Sequence, residues 1–369
     1  MPRAALLLTT VVAGACAALP ATMRAVHVTG HCNASTGWSC VGASDGVAVP
    51  QAGVGQLLLA VGGSSVNPCD SDTVQGYPGC HIDAAGTPGG DVAGTVVAVG
   101  PGCSGRLRIG DRVWANRFSL AGGMAEYALA AEAQMGLMPS TLSFAEAGTV
   151  PIVGGTSLQC LQCLPAANAN CSRASPPGGA AARPLAGLTV VITSGSGGTG
   201  FLGIQMAKAL GAARVITAAH GAGPIAWMKD LGADVVTDYV EQPDIFAALA
   251  PDSVDAVYDN YGGNGTADRA MRALRAGGTY LLLPHGNSAG ALSKHPKAGV
   301  RQINFGDVDN QRYDTLDQMK ALFEASALKI NVGAVPGIQQ TFTFDDAAVA
   351  YTLTAGGNVL GKIAMVPGL

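Results

Sequence analysis

A short apolar strand, a glycine-rich loop and an apolar helix follow one another at residues 187–212. Leu188–Thr193 is a β-branched run typical of a strand buried on both faces, and apolar residues recur at helical spacing after the loop. Gly195, Gly197 and Gly200 form the pattern G-x-G-x-x-G between them. Such a loop turns tightly and lets backbone N–H groups and a helix N-terminus approach a pyrophosphate. The predicted cofactor contacts here are Ser194, Gly195, Gly197, Gly198, Thr199 and Gly200.

The glycine pattern alone is weak, because the chain contains 52 glycines and an ordinary loop would satisfy it by chance. The strand before it and the helix after it are what favour a dinucleotide site.

Length and composition limit the other possibilities. A chain of 369 residues can hold two domains, each with its own core. Hydrophobic residues make up 48% of the chain and charged residues 12%, which excludes a largely disordered protein. The net charge of −4 and the lack of a basic stripe argue against nucleic acid as a partner.

Residues 1–22 read as a signal peptide. Arg3 supplies a positive start, Ala4–Ala18 is uncharged and mostly apolar, and Ala15-Cys16-Ala17 fits the small-x-small cleavage pattern. The segment is short for a membrane span, so no span is expected in the mature chain. An apolar first strand is the alternative, but Arg24–Val28 already resembles a first strand. The leader predicts the secretory pathway or secretion, and plastid import through the secretory route remains open.

Eight of the nine cysteines remain after removal of the leader, which suits an oxidising compartment. Local spacing makes Cys32–Cys40 and Cys69–Cys80 the first pairs to expect. Cys160 and Cys163, on a predicted helix, are equally consistent with a pair or with two core thiols.

The chain shows two patterns of elements. Residues 24–150 contain short apolar runs between glycine- and proline-rich turns, which is typical of a mostly antiparallel barrel or sandwich. From Gly187 to Pro284 strands alternate with helices, which predicts a parallel sheet with ligands at the carboxyl ends of its strands. Residues 285–312 look irregular, Asp314–Leu328 reads as a helix, and the tail returns to strands.

Several short motifs are spread along residues 24–369. They include Asn67-Pro-Cys-Asp70, Gly89-Gly-Asp-Val-Ala-Gly94, Gly110-Asp-Arg-Val-Trp114, Gly123-Met-Ala-Glu-Tyr127, Ser194–Gly211, Asp259-Asn-Tyr-Gly-Gly263 and Gly361-Lys-Ile363. With these motifs, nearly all of residues 24–369 resembles the zinc-independent quinone oxidoreductase and enoyl reductase branch of the medium-chain dehydrogenase/reductase superfamily. The resemblance implies an α/β protein with a chaperonin-10-like β-barrel domain at 23–155 and 313–369. It places a Rossmann doubly wound parallel-sheet domain at 156–312, and makes a homodimer the default.

Zinc ligands are missing from this pattern. Zinc-dependent relatives carry a cysteine where this chain has Asn67, and His-Glu where it has Gly90-Asp91. Cys69 lies two positions from that ligand site, which favours a disulfide partner over a metal ligand. We therefore expect no metal.

The second strand of the dinucleotide domain runs into residues 219–224, which contain no carboxylate to bind a ribose 2′-hydroxyl. This favours NADPH, although Pro224 stands where NADPH-selecting relatives usually have lysine. His220 would contact the 2′-phosphate unless it is a solvated loop histidine, and Tyr239 matches a phosphate-side tyrosine of the family. The resemblance places Thr156 and Asn260 beside the nicotinamide, and either would equally serve as a structural cap.

Without zinc, alcohol oxidation lacks its Lewis acid. The resemblance implies hydride transfer to a quinone or an α,β-unsaturated carbonyl, with the developing negative charge stabilised by hydrogen bonds. Asn67 and Tyr77 match cleft positions from which each would donate to the carbonyl oxygen, with Tyr77 or water as proton source. Tyr77 would alternatively be a turn aromatic.

A second hypothesis is a secreted, non-enzymatic protein that binds a small ligand and keeps the fold without turnover. The scarcity of NADPH outside cells, Pro224 and the additional cysteines favour it.

Overall fold

The computed structural model describes residues 18–77, 81–117, 122–165, 183–284, 290–305, 312–326, 328–330, 337–357 and 359–368. Most of the predicted leader, Cys80, Cys171 and most of the loop at 165–186 lie outside the described residues. Within these ranges, no helix has the length and apolarity needed to cross a membrane.

The elements are numbered along the chain. The strands are β1 (Thr22–Val28), β2 (Val41–Ala48), β3 (Gln56–Val66), β4 (Asp91–Val99), β5 (Arg112–Asn116), β6 (Tyr127–Ala131), β7 (Met135–Leu137), β8 (Thr189–Ile192), β9 (Arg214–Ala219), β10 (Val235–Asp238), β11 (Val254–Asp259), β12 (Leu274–Leu282), β13 (Arg301–Asn304), β14 (Gly337–Thr343) and β15 (Gly361–Val366). The helices are α1 (Pro68–Val74), α2 (Phe144–Ala147), α3 (Pro151–Cys163), α4 (Gly198–Ala209), α5 (Ala222–Asp230), α6 (Thr266–Ala273), α7 (Tyr313–Ser326) and α8 (Ala347–Ala355).

The alternating part of the chain forms a six-stranded sheet in the order β10-β9-β8-β11-β12-β13. Every pairing in it is parallel. The strand order reverses beside β8, so the glycine loop that follows β8 lies at the switch point where such sheets bind ligands. This confirms the predicted parallel sheet and Rossmann-type topology.

The first part of the chain and its tail share a second sheet, in the order β14-β15-β3-β4-β5-β7 with β6 also on β3. Its pairings are antiparallel except for that of β14 with β15. The antiparallel pairing of β15 with the end of β3 confirms that the tail returns to the first domain. Strand β3 is the centre of this sheet, because β4 lies on one side of it and β6 and β15 on the other.

One local prediction was wrong. Residues 285–312 were expected to be irregular, but β13 within them extends the parallel sheet beyond β12. Its sequence Arg-Gln-Ile-Asn lacks an apolar run because it is a partly exposed edge strand. The helix predicted to carry Cys160 and Cys163 is α3, which begins at Pro151, a residue with no N–H to donate to a preceding turn.

Three of the predicted cysteine assignments are described. Cys32 and Cys40 form a disulfide, as the spacing predicted. Cys69 is disulfide-bonded, but its expected partner Cys80 lies outside the described residues. Cys160 is a buried free thiol and Cys163 is disulfide-bonded, so these two cysteines do not pair with each other.

We expect Leu59→Ala to lower the free energy of unfolding by about 2–5 kcal/mol. Leu59 is fully buried in the core of the antiparallel sheet, where its removal leaves a cavity against β4 and β6. Urea denaturation measures the change. The control is Val54→Ala, at a site that is 81% exposed, which should change stability by less than about 0.5 kcal/mol. Equal effects of the two substitutions would contradict this packing.

Candidate functional site

The glycine loop connects β8 to α4, and packing explains two of its glycines. A Cβ at Gly200 would lie 1.9 Å from the Ser194 carbonyl oxygen, and one at Gly195 would lie 2.5 Å from Thr217 Oγ1. Contacts within the protein therefore exclude a side chain at both positions, with or without a ligand. At Gly197 the situation differs, because among the described residues a Cβ there would approach only Ser194 Oγ, at 3.8 Å. The loop is thus open to a ligand at Gly197, the residue that precedes α4.

Asn260 holds this loop in shape. Its Oδ1 accepts from the Ser194 N–H at 2.9 Å, and its Nδ2 donates to the Ser194 carbonyl at 2.8 Å and to Thr199 Oγ1 at 3.0 Å. The side chain is only 4% exposed. The structural role that the sequence left open for Asn260 is therefore present, and a contact with nicotinamide stays a prediction.

The helix α3 packs against the start of α4. Ser157 Oγ donates to the Thr199 carbonyl at 2.8 Å, which ties the two helices together at the glycine loop. Thr156 is the residue before it and is buried on α3. The predicted residues Ser194, Thr199 and Asn260 thus come together around one helix N-terminus, and Thr156 is the neighbour of the α3 residue that is bonded to it.

His220 and Tyr239 lie side by side past the ends of β9 and β10. Their ring centroids are 5.6 Å apart, and both side chains are about half exposed, at 51% for His220 and 50% for Tyr239. The structure therefore brings together the two residues predicted to contact the 2′-phosphate.

Asp238, at the end of β10, is a residue that the sequence argument missed. His220 Nδ1 lies 2.9 Å from its carboxylate, and the Gly221 N–H donates to the same group at 3.2 Å. The hydrogen bond from His220 lowers the pKa of Asp238 to about 2, so this group is a carboxylate at neutral pH. A carboxylate was expected only at the end of β9, whereas the parallel register places Asp238 of β10 beside Ala219.

Asn67 lies in a buried polar cluster at the junction of β3 and α1. Its Nδ2 donates to Asp91 Oδ2 at 2.8 Å and to Ser65 Oγ at 3.4 Å, and its Oδ1 accepts from Lys362 Nζ. Asn67 is 2% exposed, Asp91 0% and Lys362 4%. The cluster joins three strands of the antiparallel sheet, β3, β4 and β15.

Asp91 connects this cluster to the start of α3, the helix that is bonded to α4 of the parallel-sheet domain. One carboxylate oxygen accepts from the Ile152 N–H at 2.7 Å, at the start of α3, and the other accepts from Ser65 Oγ at 2.6 Å. Lys362 Nζ is 3.8 Å from the second oxygen. These contacts compensate for the desolvation of the buried carboxylate.

A second buried carboxyl group belongs to the cluster. Asp70 Oδ2 accepts from the Asn67 N–H at 2.8 Å, while Oδ1 is buried without a hydrogen-bond partner. Desolvation raises the pKa of Asp70 to about 7, against the lowering effects of that hydrogen bond and of the Lys362 charge. Desolvation likewise lowers the pKa of Lys362, against the charges of Asp91 and Asp70.

Tyr77 lies in a different environment from Asn67. It follows α1, its N–H donates to the Asp72 carbonyl at 2.9 Å, and the residue is 52% exposed. This is consistent with the turn aromatic that the sequence also allowed, and its catalytic role stays a prediction.

The site does not fit a catalytic zinc ion. Asn67, Gly90 and Asp91 supply no thiolate or imidazole, and the Lys362 ammonium already occupies Asn67 Oδ1. No group of three or more His, Cys, Asp and Glu side chains suited to a metal occurs in the portion of the chain that the structure covers.

The fold and the glycine loop define a two-domain α/β protein with a GroES-like barrel and a Rossmann-type domain. Residues 53–142 match the family model of the alcohol dehydrogenase GroES-like domain, and residues 198–305 match that of the zinc-binding dehydrogenases. The chain belongs to the medium-chain dehydrogenase/reductase superfamily and is quinone oxidoreductase-like.

Similar proteins span most of the chain. The 2-methylene-furan-3-one reductase of Solanum lycopersicum is 28% identical over 329 residues, which are 87% of this chain and 74% of that protein. The chloroplastic NADPH-dependent alkenal/one oxidoreductase of Arabidopsis thaliana is 26% identical with the same coverage. The structure of the quinone oxidoreductase from Coxiella burnetii has a TM-score of 0.73 and 25% identity, and covers 94% of this chain and 99% of that one.

We expect the stability of the wild type to fall, relative to Asp70→Asn, as pH rises from about 4 to about 7. The folded state holds the Asp70 proton over this interval, whereas the unfolded state with an ordinary pKa near 3.8 has released it. Protons bound preferentially by the folded state stabilise it at low pH, and that stabilisation is lost as pH rises, by at most about 1.4 kcal/mol per pH unit.

Chemical denaturation at several pH values measures this difference. Asp230→Asn, at an exposed site on α5, is the control and should follow the wild type. If the free energies of unfolding of the wild type and Asp70→Asn changed equally with pH, the raised pKa of Asp70 would be contradicted.

Proposed function

We propose that this chain transfers hydride from NADPH to a quinone or an α,β-unsaturated carbonyl compound without zinc. One observation carries the proposal: the glycine loop is bonded directly to the strand that bears the buried site. Gly361 is the residue before Lys362 on β15, and its N–H donates to the Ser196 carbonyl at 2.7 Å. A cofactor on the loop would therefore lie beside the polar cluster of Asn67, Asp91 and Lys362.

The cofactor site fits NADPH in two places. The opening at Gly197 and the N-terminus of α4 suit a pyrophosphate, which accepts hydrogen bonds from backbone N–H groups. His220 and Tyr239 would lie beside the 2′-phosphate. The Asp238 carboxylate would repel that phosphate, and its pairing with His220 reduces the repulsion when the imidazole is protonated. The Arabidopsis relative, which is named as an NADPH-dependent oxidoreductase, supports this cofactor.

The bound nicotinamide would supply the hydride, and the chain's own residues would orient the acceptor and stabilise its negative charge. Asn67 is our candidate donor to the substrate oxygen. The weaker of the two hydrogen bonds that it donates, 3.4 Å to Ser65 Oγ, is the one that a substrate oxygen would replace. We retain Tyr77 as a candidate proton source, on the family resemblance alone. The names of the reductase and oxidoreductase relatives support this class of substrate.

Zinc independence is part of the proposal. A divalent ion near Asn67 and Asp91 would have to displace the Lys362 ammonium, and the ligands left to it would be an amide and one carboxylate. Such a donor set is poor for zinc.

Domain limits and location remain proposals. We assign residues 23–155 and 313–369 to the barrel domain and residues 156–312 to the Rossmann domain, with a homodimer as the default assembly. The chloroplastic location in the Arabidopsis relative's name supports a plastid destination. The Cys32–Cys40 disulfide instead favours an oxidising compartment, through the secretory route that the leader suggests.

NADPH at 100 times its dissociation constant should stabilise the protein by about 2.7 kcal/mol, which is several degrees in the unfolding temperature. NADH should give a smaller shift. Gly197→Val should weaken NADPH binding at least tenfold, because its side chain would occupy the opening for the pyrophosphate without touching the packed parts of the loop. Thermal unfolding with and without each nucleotide measures these shifts.

The matched control is Gly42→Val on β2, where a Cβ would meet no described atom within 4 Å. An unchanged NADPH shift in Gly197→Val would contradict the assigned pocket.

NADPH oxidation should occur with members of a panel of quinones and enones, and a chelator should not reduce its rate. Absorbance at the nicotinamide band follows the reaction. Loss of activity with the chelator, restored by zinc, would refute zinc independence. Tight binding of a small apolar ligand without nucleotide binding or turnover would instead support the non-enzymatic binding protein.

A further inference from the structure

Lys362 interrupts an otherwise apolar strand, because β15 reads Gly-Lys-Ile-Ala-Met-Val and is buried along its whole length. Burial of an ammonium group is costly unless it is hydrogen-bonded and paired. A lysine in this position therefore needs a reason beyond the packing of the strand.

The backbone and stem of this segment contact the cofactor loop. Gly361 and Gly197 form a parallel bridge. A Cβ at Gly198 would lie 3.0 Å from Lys362 Cδ, so the methylene stem rests directly on the start of α4. The lysine thus touches the loop proposed to bind NADPH.

The ammonium group at the other end of the side chain contacts the barrel, at the end of β3 and the start of β4. Lys362 Nζ donates to the Val66 carbonyl at 3.2 Å and to Asn67 Oδ1, and lies 3.8 Å from Asp91 Oδ2. The bond to Asn67 Oδ1 fixes the direction of the amide, so that Nδ2 points to Asp91 and Ser65. One side chain therefore spans the distance from the cofactor loop to the candidate substrate donor.

We propose that Lys362 is the positioning cation of this active site, and that it acts through Asn67. Its ammonium holds the Asn67 amide in the orientation that meets the substrate oxygen, at the place where zinc-dependent relatives have a metal ligand. Hydride transfer depends steeply on the alignment of donor and acceptor, so a small rotation of the amide slows the chemical step. This inference rests on the proposed reductase function.

A purely structural explanation makes a different prediction. If Lys362 only neutralises the buried Asp91 carboxylate, then removing both charges together restores both the stability of the fold and the rate of turnover. If it positions Asn67, then removing both charges restores the fold but leaves the chemical step slow.

The experiment compares the full-length wild type with Lys362→Met, Asp91→Asn and the double variant. Methionine preserves much of the apolar stem on Gly198 and lacks the ammonium, so NADPH affinity from thermal shifts should change by less than about threefold. We expect Lys362→Met to lower both the unfolding temperature and kcat, with kcat falling about 10- to 100-fold at saturating NADPH and substrate. In the double variant the unfolding temperature should recover while kcat stays at least tenfold below that of Asp91→Asn alone, which keeps an oxygen that can accept from Asn67 Nδ2.

Lys320→Met is the matched control, because it removes a lysine from an ion pair with Glu324 on α7, away from the site. It should keep the wild-type kcat and nucleotide affinity. Recovery of kcat in the double variant, or wild-type kcat in Lys362→Met, overturns the proposal.

A second comparison tests the route through Asn67. Asn67→Ala should slow turnover, and adding Lys362→Met to it should cause little further loss, because both changes remove the same oriented amide. If the two substitutions instead reduce turnover independently, so that their fold losses multiply, then Lys362 does not act through Asn67. A wild type that binds NADPH but turns over no quinone or enone would refute the proposed function itself, and with it this role. Normal turnover in the lysine variants would refute the role alone.

Discussion

The buried contacts of Asp91 join strands of the barrel to the start of α3, the helix that is bonded to the glycine loop's helix α4. Its carboxylate accepts from Ser65 and Asn67 in the barrel and from the first turn of α3, and the Lys362 charge lies beside it. A fully buried carboxylate tolerates few alternative arrangements, because each lost partner leaves desolvated charge. This requirement fixes the end of β3, the start of β4 and the start of α3 relative to one another, and the glycine loop is attached to the same junction through β15.

The glycine loop depends on a different kind of constraint. Gly200 is required by close approach to the Ser194 carbonyl, and Asn260 binds both polar backbone groups of Ser194. Loop shape is therefore set before any ligand arrives, and Gly197 is left as the open position. Preorganised N–H groups of this kind bind a pyrophosphate without paying the entropy of ordering the loop.

Some site residues were visible in the sequence and others were not. The loop residues and Asn67 belong to local motifs, so spacing and resemblance were enough to name them as candidates. Asp238 was missed because its neighbour His220 lies on another strand, and only the parallel register brings the two together. Lys362 carried a signal, a single charge within an apolar run, but its partner could not be identified from the pattern. Strand β13 was missed because an edge strand needs no apolar run.

Local sequence determined the strand, the glycine loop and the helix that follow one another, and the alternation of strands and helices. These are properties of neighbouring residues, since turn chemistry and hydrophobic periodicity act over a few positions. Tertiary structure alone decided that Lys362 would meet Asn67, which stands 295 positions earlier in the chain. That meeting follows from the pairing of β15 with β3, and a buried charge finds its partner only when the whole sheet has formed.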